Sequence, residues 1–219
     1  SVGAAAVKPG DRVLDVGCGA GHFAGHVPEA DYVGHDADGA GQGEGERAAT
    51  LSGELADLAK DHAESFDVVT AFQVLEHAAD PVQFTRDCLA LLKPGGTLFI
   101  GVPNSDSYLG TLRNFVLNAP PHHVTWWNKR SLTALADISE LKEPMLHTAP
   151  VEAWETRLYW MARIQERLSA RKGQKFESSR RGRVATVTAY LAAGLAQRVL
   201  TPHPTACGAT SILVGRRQV

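Results

Sequence analysis

Short apolar runs, each stopped by glycine or polar residues, recur along this chain at intervals that suit the strands of a buried sheet. The pattern predicts strands near 12–16, 31–35, 67–71 and 97–102, and assigns Thr50–Leu55 to a less legible third strand. Met145–Ala149 and Thr210–Val214 bring the set to seven. A helical stretch follows Asp80-Pro81 and runs to Leu92, and Ser131–Ile138 reads as a helix capped by Asn128 or Ser131. Val151–Ala170 and Val184–Leu200 read as helices, and 105–130 as a loop with a short helix. The stretch Gly39–Gly45 is glycine-rich where a helix is the usual connection. Val184–Gln197 has no charged residue but falls short of the roughly 20 apolar residues that span a bilayer. It is read first as a buried core helix and second as an amphipathic surface helix, with a peripheral membrane contact driven by the preceding basic cluster as the third reading. With no repeat and no second glycine turn, the chain reads as one domain over 1–219 with a helical insertion before the last strand.

The chemistry concentrates where the first strand ends. In Val13-Leu14-Asp15-Val16-Gly17-Cys18-Gly19-Ala20-Gly21, three glycines alternate ahead of an expected helix start. Glycine permits positive φ and lets a ligand approach the backbone, and the free amides of a first helical turn favour an electronegative group. Asp15 before the turn suits a cation, so a carboxylate beside a glycine cradle points to a zwitterionic nucleotide. Asp36 closes the second strand, 15 residues beyond Gly21, near the spacing at which a strand-end carboxylate meets ribose hydroxyls. The spacing Gly17-x-Gly19-x-Gly21 departs from GxGxxG, which disfavours a nicotinamide-dependent dehydrogenase.

The order of these segments resembles the class I S-adenosylmethionine-dependent methyltransferases, in particular the small-molecule branch around the ubiquinone-biosynthesis O-methyltransferases. The resemblance rests on the glycine turn, Tyr32–Asp36, Phe66–His77, Lys93-Pro94-Gly95-Gly96 and Thr97–Asn104; it is strong over 8–104 and faint after 136. It implies a Rossmann-like, doubly wound α/β fold with a mostly parallel seven-stranded sheet. Residues 1–104 would form the cofactor-binding half and 105–219 the acceptor side. It also implies S-adenosylmethionine as cofactor and S-adenosylhomocysteine as product. Asp15, Gly17 and Gly19 would line the amino-acid end, with Cys18 and Gly21 completing the turn. Asp36, followed by Ala37, would take the ribose, Glu54 and Leu55 the adenine, and Ala71, Phe72 and Gln73 the methionine portion.

On the acceptor side, relatives carry a Glu-x-x-Glu-His cluster and a later His that together hold a divalent metal. Here the first acid is Gln73, which removes a negative charge from such a site and leaves Glu76, His77 and one of His122 and His123; no metal is expected. His123 is the expected general base, because histidine titrates near neutrality, with His122 its interchangeable neighbour and His77 the alternative. Trp126 and Trp127 are read either as an acceptor-pocket wall or as packing under a loop. The expected activity is methyl transfer to a small-molecule hydroxyl. An RNA 2′-O-methyltransferase and a non-catalytic cofactor-binding domain are the alternatives.

Charge adds one contrast. Residues 1–140 carry a net −10 and residues 141–219 a net +8, with basic residues crowded between Arg157 and Arg183. That block includes Arg171-Lys172 and Lys175, and such a block can attract nucleic acid, anionic lipid or an acidic partner. It is read first as a solvated helix pair with a polar loop, and the lack of interleaved aromatics argues against single-strand stacking. Three widely spaced cysteines, Cys18, Cys88 and Cys207, argue against a disulfide scaffold or zinc site. No signal-like segment opens the sequence, and a cytoplasmic location is expected.

Overall fold

The computed structural model describes residues 2–37, 49–116, 119–168, 176 and 179–219. The glycine-rich stretch 39–45 and the basic residues Arg171, Lys172 and Lys175 lie outside the described residues. The strands are β1 (Arg12–Val16), β2 (Asp31–Asp36), β3 (Ala49–Ser52), β4 (Phe66–Phe72), β5 (Leu92–Pro103), β6 (Lys142–Pro150) and β7 (Cys207–Arg216). The helices are α1 (Val2–Ala6), α2 (Leu55–Asp61), α3 (Pro81–Leu91), α4 (Lys129–Ile138), α5 (Thr156–Leu168) and α6 (Arg180–Val199). The sheet runs in the order β3-β2-β1-β4-β5-β7-β6, and the first five strands in that order pair in parallel. This is the seven-stranded, mostly parallel α/β sheet that the sequence implied, with α5 and α6 inserted before the last strand.

Three local expectations change. The third strand ends at Ser52, so Glu54 becomes the residue that precedes α2 and Leu55 its first residue. The segment after the glycine turn is a 3-10 helix, His22–His26, rather than an α-helix. The uncharged stretch Val184–Gln197 is not a buried core helix: it belongs to the longer α6, which buries one face and exposes the other.

The chain divides into two compact units. The first comprises Ser1–Val102, Arg130–His147 and Ile212–Val219; the second comprises Pro103–Lys129 and Thr148–Ser211. In the first, Val13, Phe23, Val27, Tyr32, Val68, Phe99 and Val214 form a core on one side of the sheet, with Ala4 of α1 packed against it. Helix α3 starts sharply because Asp80 accepts hydrogen bonds from the amides of Val82 and Gln83, and Pro81 fits the first turn, where its missing N–H costs nothing.

The second unit is built on α5 and α6, with Tyr159, Met161 and Ala162 packed on Ala189, Ala193, Leu109 and Leu112. Two buried polar side chains set its register. Gln165 on α5 accepts from the amide of Arg113 at 2.8 Å and donates to the Arg113 carbonyl. Glu155 takes the amide of Ala209 at 2.7 Å and the Tyr108 hydroxyl on one oxygen, and the amide of Glu152 at 2.7 Å on the other. Losing a charged acceptor with three donors leaves a buried amide unpaired. Glu155→Ala should therefore lower the unfolding free energy by about 2–4 kcal/mol in urea titrations; a loss under about 0.5 kcal/mol would contradict this account.

Candidate functional site

The strand order reverses between β1 and β4, and in open α/β sheets ligands bind at the carboxyl edge of such a switch point. Register sets that edge: Val16 lies opposite His35 on β2 and Ala71 on β4, and Asp36 lies opposite Ser52 on β3. Residues far apart in sequence, Gly17–Gly21, Asp36-Ala37, Gly53–Leu55 and Phe72-Gln73, therefore leave the sheet along one edge. All of them lie in the first unit.

The turn is tied down from β2. The His35 carbonyl accepts the amides of Gly17 at 2.7 Å and Cys18 at 3.0 Å, and the His35 ring meets the Gly53 carbonyl at 2.9 Å. Gly17, Gly19 and Gly21 all have positive φ, at 69°, 50° and 72°. Their surroundings differ. A Cβ on Gly17 would sit 2.4 Å from Val74, so glycine is a packing requirement there; a Cβ on Gly19 or Gly21 would meet nothing within 4 Å. The backbone at 19 and 21 thus faces open space, as a cradle for a ligand must.

Asp15 lies beneath this turn and is only 4% exposed. It accepts the Tyr32 hydroxyl at 2.8 Å and the Thr70 hydroxyl at 2.7 Å. Burial raises its pKa, and the two hydroxyls pull it back down. Both oxygens are engaged within the sheet, so its charge reaches the turn from below. Burial, and then the charges of Asp15 and Asp36, push the Cys18 thiol pKa up, which puts both carboxylates around the turn.

The family model described as "Methyltransferase domain" matches residues 3–141. The chain belongs to the methyltransferase domain family. Two proteins named ubiquinone biosynthesis O-methyltransferase are similar to it. One, from Xanthomonas campestris, is 37% identical over 113 residues, 47% of this chain and 47% of the relative. Another, from Hahella chejuensis, is 36% identical over 138 residues, 57% of this chain and 58% of the relative. The chain spans about half the length of the curated relatives it matches. Its fold is similar to a methyltransferase structure from Thermotoga maritima, with TM-score 0.62 and 15% identity over 99% of this chain and 86% of the other. The family's cofactor is S-adenosylmethionine, and the open cradle, with Asp15 beneath it and Asp36 at the end of β2 along the same edge, fits a cofactor with an amino-acid end and a ribose.

In this methyltransferase domain the end of β4 is shaped with equal care. Phe72 packs on Phe23 with ring centroids 5.2 Å apart, and Gly101 makes room, since a Cβ there would lie 2.7 Å from the Phe72 ring. Gln73 has φ 60° while its amide donates to the Gly101 carbonyl at 2.8 Å. A left-handed glutamine at the switch point is the kind of strained residue that clusters at functional sites. Glu54 is exposed and Leu55 half-buried at the head of α2.

The histidines divide between the units. His77 is exposed in the 3-10 turn Leu75–His77 of the first. His122 and His123 belong to the second, where both amides donate to the Ala119 carbonyl and the rings stack at 4.8 Å. Trp127 is buried with its Nε1 donating to Thr125, while Trp126 is exposed. A cavity of about 440 Å³ lies at the other end of the strands, beside Asp11, Asp67 and Lys93, away from the cradle.

In the sequence Glu76 stands out only as one of the residues left from a metal cluster. In the structure it is buried, and burial pushes its pKa up to about 7. The Glu-His pair after β4 was the available signal; burial was not readable from it.

Two predictions follow from this geometry. Gly19→Ala should keep the fold, at a cost of about 1 kcal/mol for a left-handed alanine, yet abolish cofactor binding by calorimetry, whereas Gly17→Ala should lower the melting temperature first. Unaltered affinity in Gly19→Ala would refute the cradle. Glu76 binds its proton more tightly folded than unfolded, so its protonated form stabilises the fold at low pH, and that contribution is lost as pH rises from 4.5 to about 7. Glu76→Gln should match wild type below pH 4.5 and exceed it by on the order of 2–3 kcal/mol above pH 7, measured by denaturation across that range.

Proposed function

We propose that this chain transfers a methyl group from S-adenosylmethionine to a hydroxyl oxygen of a small-molecule acceptor, within one methyltransferase domain. The observation that carries the reading is the open glycine turn between Asp15 and Asp36 at the β1/β4 switch point. The similar proteins named ubiquinone biosynthesis O-methyltransferase support the hydroxyl oxygen as target.

When bound, the cofactor supplies an electrophilic methyl on a sulfonium. In this proposal the backbone of Gly17, Cys18, Gly19 and Gly21 holds its amino-acid end, with the Asp15 charge below favouring the ammonium. Asp36 and Ala37 take the ribose, and Glu54 and Leu55 the adenine. Ala71, Phe72 and Gln73 line the methionine portion. A hydroxyl must lose its proton as the new C–O bond forms, so a base within hydrogen-bond reach accelerates transfer. His123 takes that proton, with His122 its stacked neighbour and His77 the alternative. The three free thiols fit a reducing cytoplasm.

With the true acceptor, His123→Ala should lower kcat by roughly 10²–10⁴-fold while cofactor affinity stays within about twofold. A double His122→Ala/His123→Ala variant at full rate would remove both from the mechanism. Because Gln73 has replaced an acid, turnover should survive EDTA; activity stopped by the chelator and restored by Mg²⁺ would instead make the chain metal-dependent.

A further inference from the structure

Helix α6 is apolar on both sides. It buries Ala189 and Ala193 against the second unit's core, and Gly182 is buried on the same face. Yet Val184, Val187, Leu191 and Leu195 are 59, 59, 62 and 68% exposed. Their spacing of three, four and four residues places them on a single line. At 100° per residue that line runs opposite the buried face, and it extends for roughly 17 Å along the axis. Scattered exposed aliphatics need no explanation, but a contiguous stripe does. An amphipathic helix that only packed on its own unit would turn polar residues outward.

The charges name the partner. The 20 residues Arg180–Val199 contain Arg180, Arg181, Arg183 and Arg198 and no acidic residue. Among the described residues, no ion pair involves Arg180, Arg181 or Arg198. A second copy docked through this stripe would set Arg180, Arg181 and Arg183 against their own copies in a parallel pairing and against Arg198 in an antiparallel one, with no carboxylate on the helix to offset them. An anionic lipid surface offers apolar depth for the stripe and phosphates for the guanidinium groups at both ends. No described helix is long and apolar enough to cross a membrane, so the helix would lie along one.

We propose that α6 binds the surface of an anionic bilayer, with Val184, Val187, Leu191 and Leu195 in the acyl boundary and the terminal arginines among the headgroups. The stripe lies apart from the glycine cradle in sequence and in unit, so membrane binding stands or falls independently of methyl transfer. It would bring the chain to acceptors that partition into lipid.

The test is co-sedimentation of the full chain with vesicles of phosphatidylcholine alone or mixed with phosphatidylglycerol. Wild type should pellet with the mixed vesicles, remain in solution with phosphatidylcholine, and be released by added salt. Leu191→Glu/Leu195→Glu should lower the bound fraction on the order of tenfold with an unchanged melting temperature and circular dichroism spectrum. Wild type left in solution with mixed vesicles, or a folded double variant that binds as well as wild type, overturns the proposal. A dimer in sedimentation velocity that the double variant loses, with no vesicle binding by wild type, overturns it in favour of a second copy.

Discussion

One buried carboxylate holds the working end of the sheet together. Asp15 on β1 receives a hydroxyl from Tyr32 on β2 and another from Thr70 on β4, so three adjacent strands are cross-linked just below the glycine turn. Hydrogen bonds to a charged acceptor are each worth about 1.5–3 kcal/mol, and they offset the cost of burying the charge. Because parallel pairing alone tolerates small slips at strand ends, this link fixes where β1, β2 and β4 stop relative to one another. The second unit repeats the device with different residues: Glu155 joins the amides of Ala209 and Glu152 and the Tyr108 hydroxyl.

Everything at the carboxyl edge depends on that alignment. The His35 carbonyl can take two amides of the turn only if β1 and β2 end level. The turn then puts Gly19 and Gly21 against open space while Gly17 is pressed on Val74. Across the switch point the edge stores strain rather than relieving it, in the left-handed backbone of Gln73 and the buried carboxyl of Glu76. Such costs persist where the surrounding structure over-determines them.

The strands were legible in the sequence because buried parallel strands are written as predominantly apolar runs, here broken by a single polar residue each, Asp15 within Val13–Val16 and Thr70 within Val68–Ala71. The third strand was misplaced because it is four residues long and ends in Ser52, leaving little pattern to read. The glycine turn and Asp36 were found by local spacing. The hydroxyls that bind Asp15 lie 17 and 55 residues away, so no local signal joins them to it. Helix α6 shows a different limit: an uncharged helical stretch announces apolar faces but not which of them finds a partner, and one of its faces has none among the described residues of its unit.

A crystal structure with S-adenosylhomocysteine tests the central claim most directly, because it reports where the ligand lies without assuming an acceptor. The account predicts density along Gly17–Gly21 with the ribose against the Asp36 carboxylate and Asp15 still bonded to Tyr32 and Thr70. Density confined to the cavity beside Asp67 and Lys93 at the opposite end of the strands, with the turn bare, would contradict it.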